Sequence, residues 1–185
     1  MKFFIFLAML IPFCGYAQST PVDKYIKKIQ AALDRQPALC LGERRWPVAI
    51  DRSGVSANWI NGKMESLVDA GLIKSHFSGD KKVWEPTPAG LKELKKHGDF
   101  CYGRIMVKEI ESITPESSGA GVIIFNYSIA SLPAWAKNRS VRVAYTDLDN
   151  LVTGINSTRY QVKYRRIGSE AIEIVGEPEQ LDLFY

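Results

Sequence analysis

The sequence predicts an α+β protein, with short amphipathic helices in its first half and antiparallel strands in its second. Three observations predict it. Up to about residue 96, apolar residues recur at spacings of three and four; from residue 104 the pattern turns to alternation and continuous β-branched runs. Gly, Pro, Ser and Asn clusters then punctuate the chain at hairpin intervals. The 185 residues are 46% hydrophobic, 24% charged and 11% aromatic, a globular composition that excludes disorder, collagen-like repeats and coiled coil. The expected organisation is a leader over residues 1–17, a helical domain with a two-stranded ribbon over 18–103, and a small antiparallel β-rich domain over 104–185.

The leader reading rests on Lys2, an apolar run from Phe3 to Phe13, and the small residues Gly15 and Ala17 just before Gln18. This is the charged, apolar and small-residue order of a secretory signal peptide, cleaved after Ala17. Eleven residues fall well short of the ~20 that a spanning helix requires. An uncleaved anchor is one alternative. A lipoprotein signal using Cys14 is another, although Pro12-Phe13 stands where small residues are needed. The expected location is periplasmic or secreted, with no stable membrane span.

The first helix starts at Thr20-Pro21-Val22-Asp23: a hydroxyl cap, a proline at the first helical position and a carboxylate in the first turn. Val22, Ile26, Ile29 and Leu33 form its apolar stripe, and Pro37 ends it. Residues 38–51 read as a loop with a short strand near Val48–Ile50. A second helix follows, capped by Ser56, with Trp59, Ile60, Met64, Leu67 and Val68 as the expected buried face and Gly71 at its C-terminal cap. Gly62 inside it costs about 1 kcal/mol relative to alanine, which suggests close packing at that point. Leu72–Phe77 and Val83–Glu85 read as strands joined at Ser78-Gly79-Asp80. Thr87-Pro88 opens a third helix to about Lys96, with Leu91 and Leu94 inward.

Two stretches of this half resemble a known family. Gly54–Ile60 running on to Met64–Ile73 is similar to a recognition helix that ends in "L-x-x-A-G-L-I", and Val83–Leu91 is similar to the strand-to-helix exit "Y-x-L-T-x-x-G". Both are features of winged-helix domains. The resemblance covers about forty residues and implies a winged-helix-like N-terminal domain, whose usual work is nucleic-acid binding. The candidate recognition helix, however, offers only Lys63 beside Glu65 and Asp69, with Asn58, Asn61 and Ser66, to a groove lined by phosphates. Lys81 and Lys82 on the wing add a little. An exported chain is not expected to meet nucleic acid.

In the second half, Arg104–Thr114 alternates imperfectly, and Pro115–Gly121 is a turn cluster. Gly121–Leu132, with Val122-Ile123-Ile124-Phe125, reads as a central strand covered on both faces. Pro133–Gly154 fits a strand at Val141, Val143 and Tyr145, or a helix at Val141, Tyr145, Leu148 and Leu151/Val152; short helical pieces are favoured. Tyr160–Ile167 is a strand with one wet face, and Ala171–Val175 follows after Gly168-Ser169 as its hairpin partner. The acidic and apolar tail Glu177–Tyr185 is an edge strand or a flexible segment. Four or five strands are expected, with one helix against them.

With Cys14 gone in the leader, Cys40 and Cys101 remain, and in an oxidising compartment they are expected to form one disulfide. Closing that loop stabilises by roughly 4 kcal/mol in the chain-entropy view. Two free buried thiols are the alternative. The net charge of +4 is concentrated in residues 18–103, with 14 basic against 10 acidic residues; residues 104–185 carry 9 against 10. This is a mild bias, short of a nucleic-acid signature.

No catalytic pattern stands out. His76 and His97 lack metal-ligand neighbours, and there is no H-E-x-x-H, G-x-S-x-G or phosphate loop. Asp147-Leu148-Asp149-Asn150 lacks the glycine hinge and terminal glutamate of a calcium loop. Asn126, Asn138 and Asn156 each begin an N-x-S/T triplet. Arg159, Lys163, Arg165 and Arg166 form a candidate anion or partner face, with cross-strand neutralisation by Glu170 and Glu173 as the plainer reading. The expectation is an exported, non-enzymatic protein without metal or cofactor. It would bind a protein or cell-envelope component through the β-rich half or a cleft between the halves. The alternatives are a winged-helix nucleic-acid-binding regulator and a hydrolase with an unrecognised site.

Overall fold

The computed structural model describes residues 21–51, 57–168 and 171–181. The leader and its cleavage point, the Thr20 and Ser56 caps, Ser169-Glu170 and Asp182–Tyr185 lie outside them. Helix α1 (Pro21–Leu33) presents Tyr25, Ile29, Ala32 and Leu33 to the core, while Val22, placed on the stripe by its spacing, is 41% exposed. Tyr25 takes its place because its ring packs edge-on to Tyr164, with 5.6 Å between centroids.

After α1 come two short strands, β1 (Leu39–Cys40) and β2 (Val48–Asp51). Helix α2 (Ala57–Asp69) leads into the hairpin β3 (Ile73–Ser78) and β4 (Lys81–Pro86), and β2 adds to β4 so that the small sheet runs β2-β4-β3. Gly71, at φ 74°, ends α2: its N–H reaches the Val68 carbonyl and that of Leu72 the Leu67 carbonyl, a Schellman cap. Helix α3 (Pro88–His97) starts where Thr87 Oγ1 accepts from Gly90 N at 3.1 Å. Gly90 lies against the Leu72 carbonyl, and a Cβ there would fall on that oxygen. Leu94 packs inward, but Leu91 is 57% exposed, because Gly90 brings the neighbouring flank of the helix against the backbone.

Strand β5 (Cys101–Pro115), strand β6 (Ala120–Ala130), helices α4 (Arg139–Ala144) and α5 (Thr146–Thr153), and strands β7 (Arg159–Ile167) and β8 (Ala171–Gln180) complete the chain. The five-stranded antiparallel sheet runs β1-β5-β6-β7-β8, and the protein is α+β. The imperfect alternation of β5 has a structural cause. Its register against β6 slips between Val107 and Glu109 and again between Ile110 and Ser112, so Ile105, Val107, Ile110 and Ile113 all face the core despite their uneven spacing. The β5 edge is covered in part by β1 and in part by Gln30, whose amide donates to the Ile105 carbonyl and accepts from Val107 N.

Two apolar cores result. Tyr25, Ile29 and Leu33 pack on Ile123, Phe125 and Tyr127 of β6 and Tyr160, Val162 and Tyr164 of β7. Met64 and Leu67 of α2 join Ile73, Trp84, Phe100 and Tyr102 with Val141, Tyr145 and Leu148 of α4 and α5. Each core draws on both sides of residue 103, and Leu39, Leu132, Leu151 and Val152 touch both. Central strand β6 is buried on alternate residues and half-buried on the others, so one face is packed rather than both: α1, α5 and the turn after it all lie on the same side. Residues 133–154 form short helical pieces, and β8 absorbs Glu177–Gln180 of the tail.

Candidate functional site

A concavity with a volume of about 870 Å³ opens between α2 and the α4–α5 elbow. Asn138 shapes one wall by capping α4: its side-chain oxygen accepts from Ser140 N at 2.8 Å and from Val141 N at 3.4 Å. Arg142 braces α4 against α5 through Asp149 at 2.6 Å and Thr153 at 2.8 Å. The bend falls at Tyr145, which is 5% exposed and sends its hydroxyl to Glu43 Oε1 at 3.2 Å. Burial, followed by the charge of Glu43, its hydrogen bond and the charge of Asp99, pushes the Tyr145 hydroxyl far above the ordinary phenol range, so it serves as a donor. Deeper in the cleft, burial and then the charge of Asp147 push the Tyr102 hydroxyl up to about 12.

The opposite wall is α2. Trp59, expected in its core face, is 68% exposed and lines the cleft, as does Val143, which is 74% exposed, on α4. The residue spacing explains the correction: Met64 and Leu67 face the core, whereas Trp59 shares its side of the helix with Lys63 and Ser66. Gly62 also lines the cleft, and a Cβ there would meet nothing within 4 Å, so its place in the helix is not explained by close packing. The Lys63 ammonium lies 4.2 Å from the centroid of Trp59 and 4.7 Å from that of Tyr145, within cation–π reach of both. Its distance to Glu43 Oε1 is 3.9 Å.

Glu43 is held by the chain behind it. The carboxylate of Asp99, only 1% exposed, accepts from Gly42 N at 3.1 Å, Glu43 N at 3.0 Å, Phe100 N at 2.7 Å and Arg44 Nε at 3.2 Å. Next to this loop the Cys40–Cys101 disulfide is formed, joining β1 to β5 across the sheet, with Cys40 on the cleft lining.

Most polar residues of α2 are engaged within the fold. Glu65 receives Lys82 Nζ at 2.8 Å and Trp84 Nε1 at 2.7 Å, Asn61 receives Lys82 Nζ at 3.5 Å, and Ser66 donates to the Lys63 carbonyl at 2.7 Å. The basic residues of β7 lie elsewhere. Arg159, Lys163 and Arg165 share one face of the strand, and Arg166 alternates to the other. Arg165 pairs with Glu173 at 2.7 Å and Arg159 with Glu111 at 3.7 Å, while Lys163 stands opposite Val175.

His76 and His97 are exposed, and among the described residues no group of three or more His, Cys, Asp or Glu could hold a metal ion. Asp149 of the acidic tetrapeptide is committed to Arg142. No described helix is long and apolar enough to cross a membrane. The sequence allows a cleft between the halves but does not identify its lining residues, because the walls come from segments far apart in the chain; the one local signal is a tryptophan followed four residues later by a lysine on a helix. No family model, curated protein or solved structure matches the chain.

Proposed function

We propose that this chain is an exported, non-enzymatic binding protein that engages a protein or cell-envelope component through the cleft between α2 and the α4–α5 elbow. The observation that carries the reading is the pair Trp59 and Val143: two large apolar side chains left mostly in water on facing walls of an open cleft. Tryptophan is one of the residues enriched at the energetic centre of interfaces. The disulfide fits an oxidising compartment, and the leader-like residues 1–17 support export.

The winged-helix resemblance of residues 18–103 has support in the sheet order β2-β4-β3, with α2 leading directly into the β3–β4 hairpin. A use in nucleic-acid binding is less well supported, because Lys82 is paired with Glu65 and Lys63 is held between Trp59 and Tyr145. The test is capture from envelope extracts with the disulfide-bonded chain as bait. The reading expects a specific partner that is lost with Trp59→Ala and with Val143→Asp. A partner retained equally by both variants would place binding elsewhere.

A further inference from the structure

We propose that the cleft receives a lysine or arginine side chain of a partner peptide between Trp59 and Tyr145, and that Lys63 is the protein's own cation occupying this place beforehand. The inference rests on the cleft being the binding surface and names the chemistry it accepts.

Tyr145 is buried and bonded through its hydroxyl to Glu43, and the backbone of Glu43 is anchored on the buried Asp99 carboxylate. One aromatic wall and its counter-charge are therefore set before any ligand arrives, which reduces the ordering cost of binding. Trp59, the other wall, keeps 68% of its surface in water. Lys63, by contrast, ends a flexible four-carbon stem, and its carboxylate contact of 3.9 Å is a long one. Two aromatic faces with a carboxylate behind them make a cation site, and the protein fills that site with its own ammonium.

The remaining charges of the lining favour a second cation over an anion. Lys63 is compensated by both rings and Glu43. Asp69 and Asp147 line the same cleft and have no ion pair among the described residues, against Arg139 as the other basic residue of the lining. An incoming basic peptide can place one side chain between the rings and others beside these carboxylates, while its apolar residues cover Trp59 and Val143. An acidic peptide would lose to Asp69 and Asp147 what it gained at Lys63 and Arg139.

The probes are two labelled hexapeptides, one alternating leucine with lysine and one alternating leucine with glutamate, added to the disulfide-bonded chain and followed by fluorescence anisotropy. The lysine peptide is expected to bind. Lys63→Met removes the internal competitor and should tighten its binding about tenfold, while Trp59→Ala should weaken it about tenfold. Trp59 is largely exposed, so its loss should leave the melting temperature in place. Weaker binding of the lysine peptide by Lys63→Met, its failure to bind either wild type or that variant, or a preference for the glutamate peptide would overturn the inference. Glutamate-peptide binding that disappears with Trp59→Ala would sink the cation site and leave the cleft standing. Peptide binding indifferent to both Trp59→Ala and Val143→Asp would sink the cleft itself.

Discussion

Asp99 holds Glu43 in place: its buried carboxylate accepts the Glu43 backbone N–H at 3.0 Å, and Glu43 in turn receives the Tyr145 hydroxyl. A residue outside the cleft lining thus sets the counter-charge behind it. Asp99→Ala would leave the N–H groups of Gly42, Glu43 and Phe100 without their acceptor and should cost about 3 kcal/mol, read by urea denaturation. Arg44 contributes little to that figure, since its side chain is 74% exposed and the pair is screened. A loss below about 0.5 kcal/mol, the size of an ordinary surface substitution, would contradict the assigned role.

The Cys40–Cys101 bridge closes a long loop, with a sequence separation of 61. Protein recovered from its native compartment should contain no free thiol. Replacing both cysteines by serine should lower the unfolding free energy by up to about 4 kcal/mol. Denaturation curves that coincide for the bridged and serine forms would show that the bridge adds nothing to stability.

Alkaline stability should fall from about pH 10. Tyr102 is raised to about 12 by burial and the charge of Asp147, and burial also raises Tyr127, Tyr145 and Tyr160. Between pH 10 and about 12 the unfolded chain ionises Tyr102 while the folded chain keeps it neutral, so the unfolded state binds fewer protons and stability drops as pH rises. Below the unfolded value the contribution is fully present. Phenolate absorbance should show a slow-titrating set of tyrosines that is released on unfolding. Titration of Tyr102, Tyr127, Tyr145 and Tyr160 near pH 10 in the folded protein would contradict this.

Two glycines within helices should respond with opposite signs to alanine. Gly90 abuts the Leu72 carbonyl, so Gly90→Ala should destabilise by about 1–3 kcal/mol. Gly62 has open space around it, so Gly62→Ala should stabilise by about 0.5–1 kcal/mol through the unfolded state. Thermal melts of the two variants give the comparison; equal shifts in one direction would show that the packing has been misassigned.

Local chemistry made much of the fold legible in the sequence. Thr87-Pro88 and Gly71 mark helix ends that depend on nearest neighbours, and residues 18–185 hold one cysteine pair. The longer-range features were not legible. Val107 and Ile110 face the same way across a bulge that no fixed period anticipates. Trp59 reads as core until α4 is known to lie beside α2, and α4 itself lies in a segment whose alternation also fits a strand, although short helical pieces are the favoured reading. The cleft is a product of that packing, so its residues had no common signature to find.

The central claim is tested most directly by site-specific photocrosslinking in the native compartment, with the photoreactive side chain placed at Val143 in one variant and at Leu91 in another. Both positions are exposed, but only Val143 lines the cleft. Crosslinked partner from Val143 and none from Leu91 is the predicted result. Partner captured at Leu91 with none at Val143 would contradict the account.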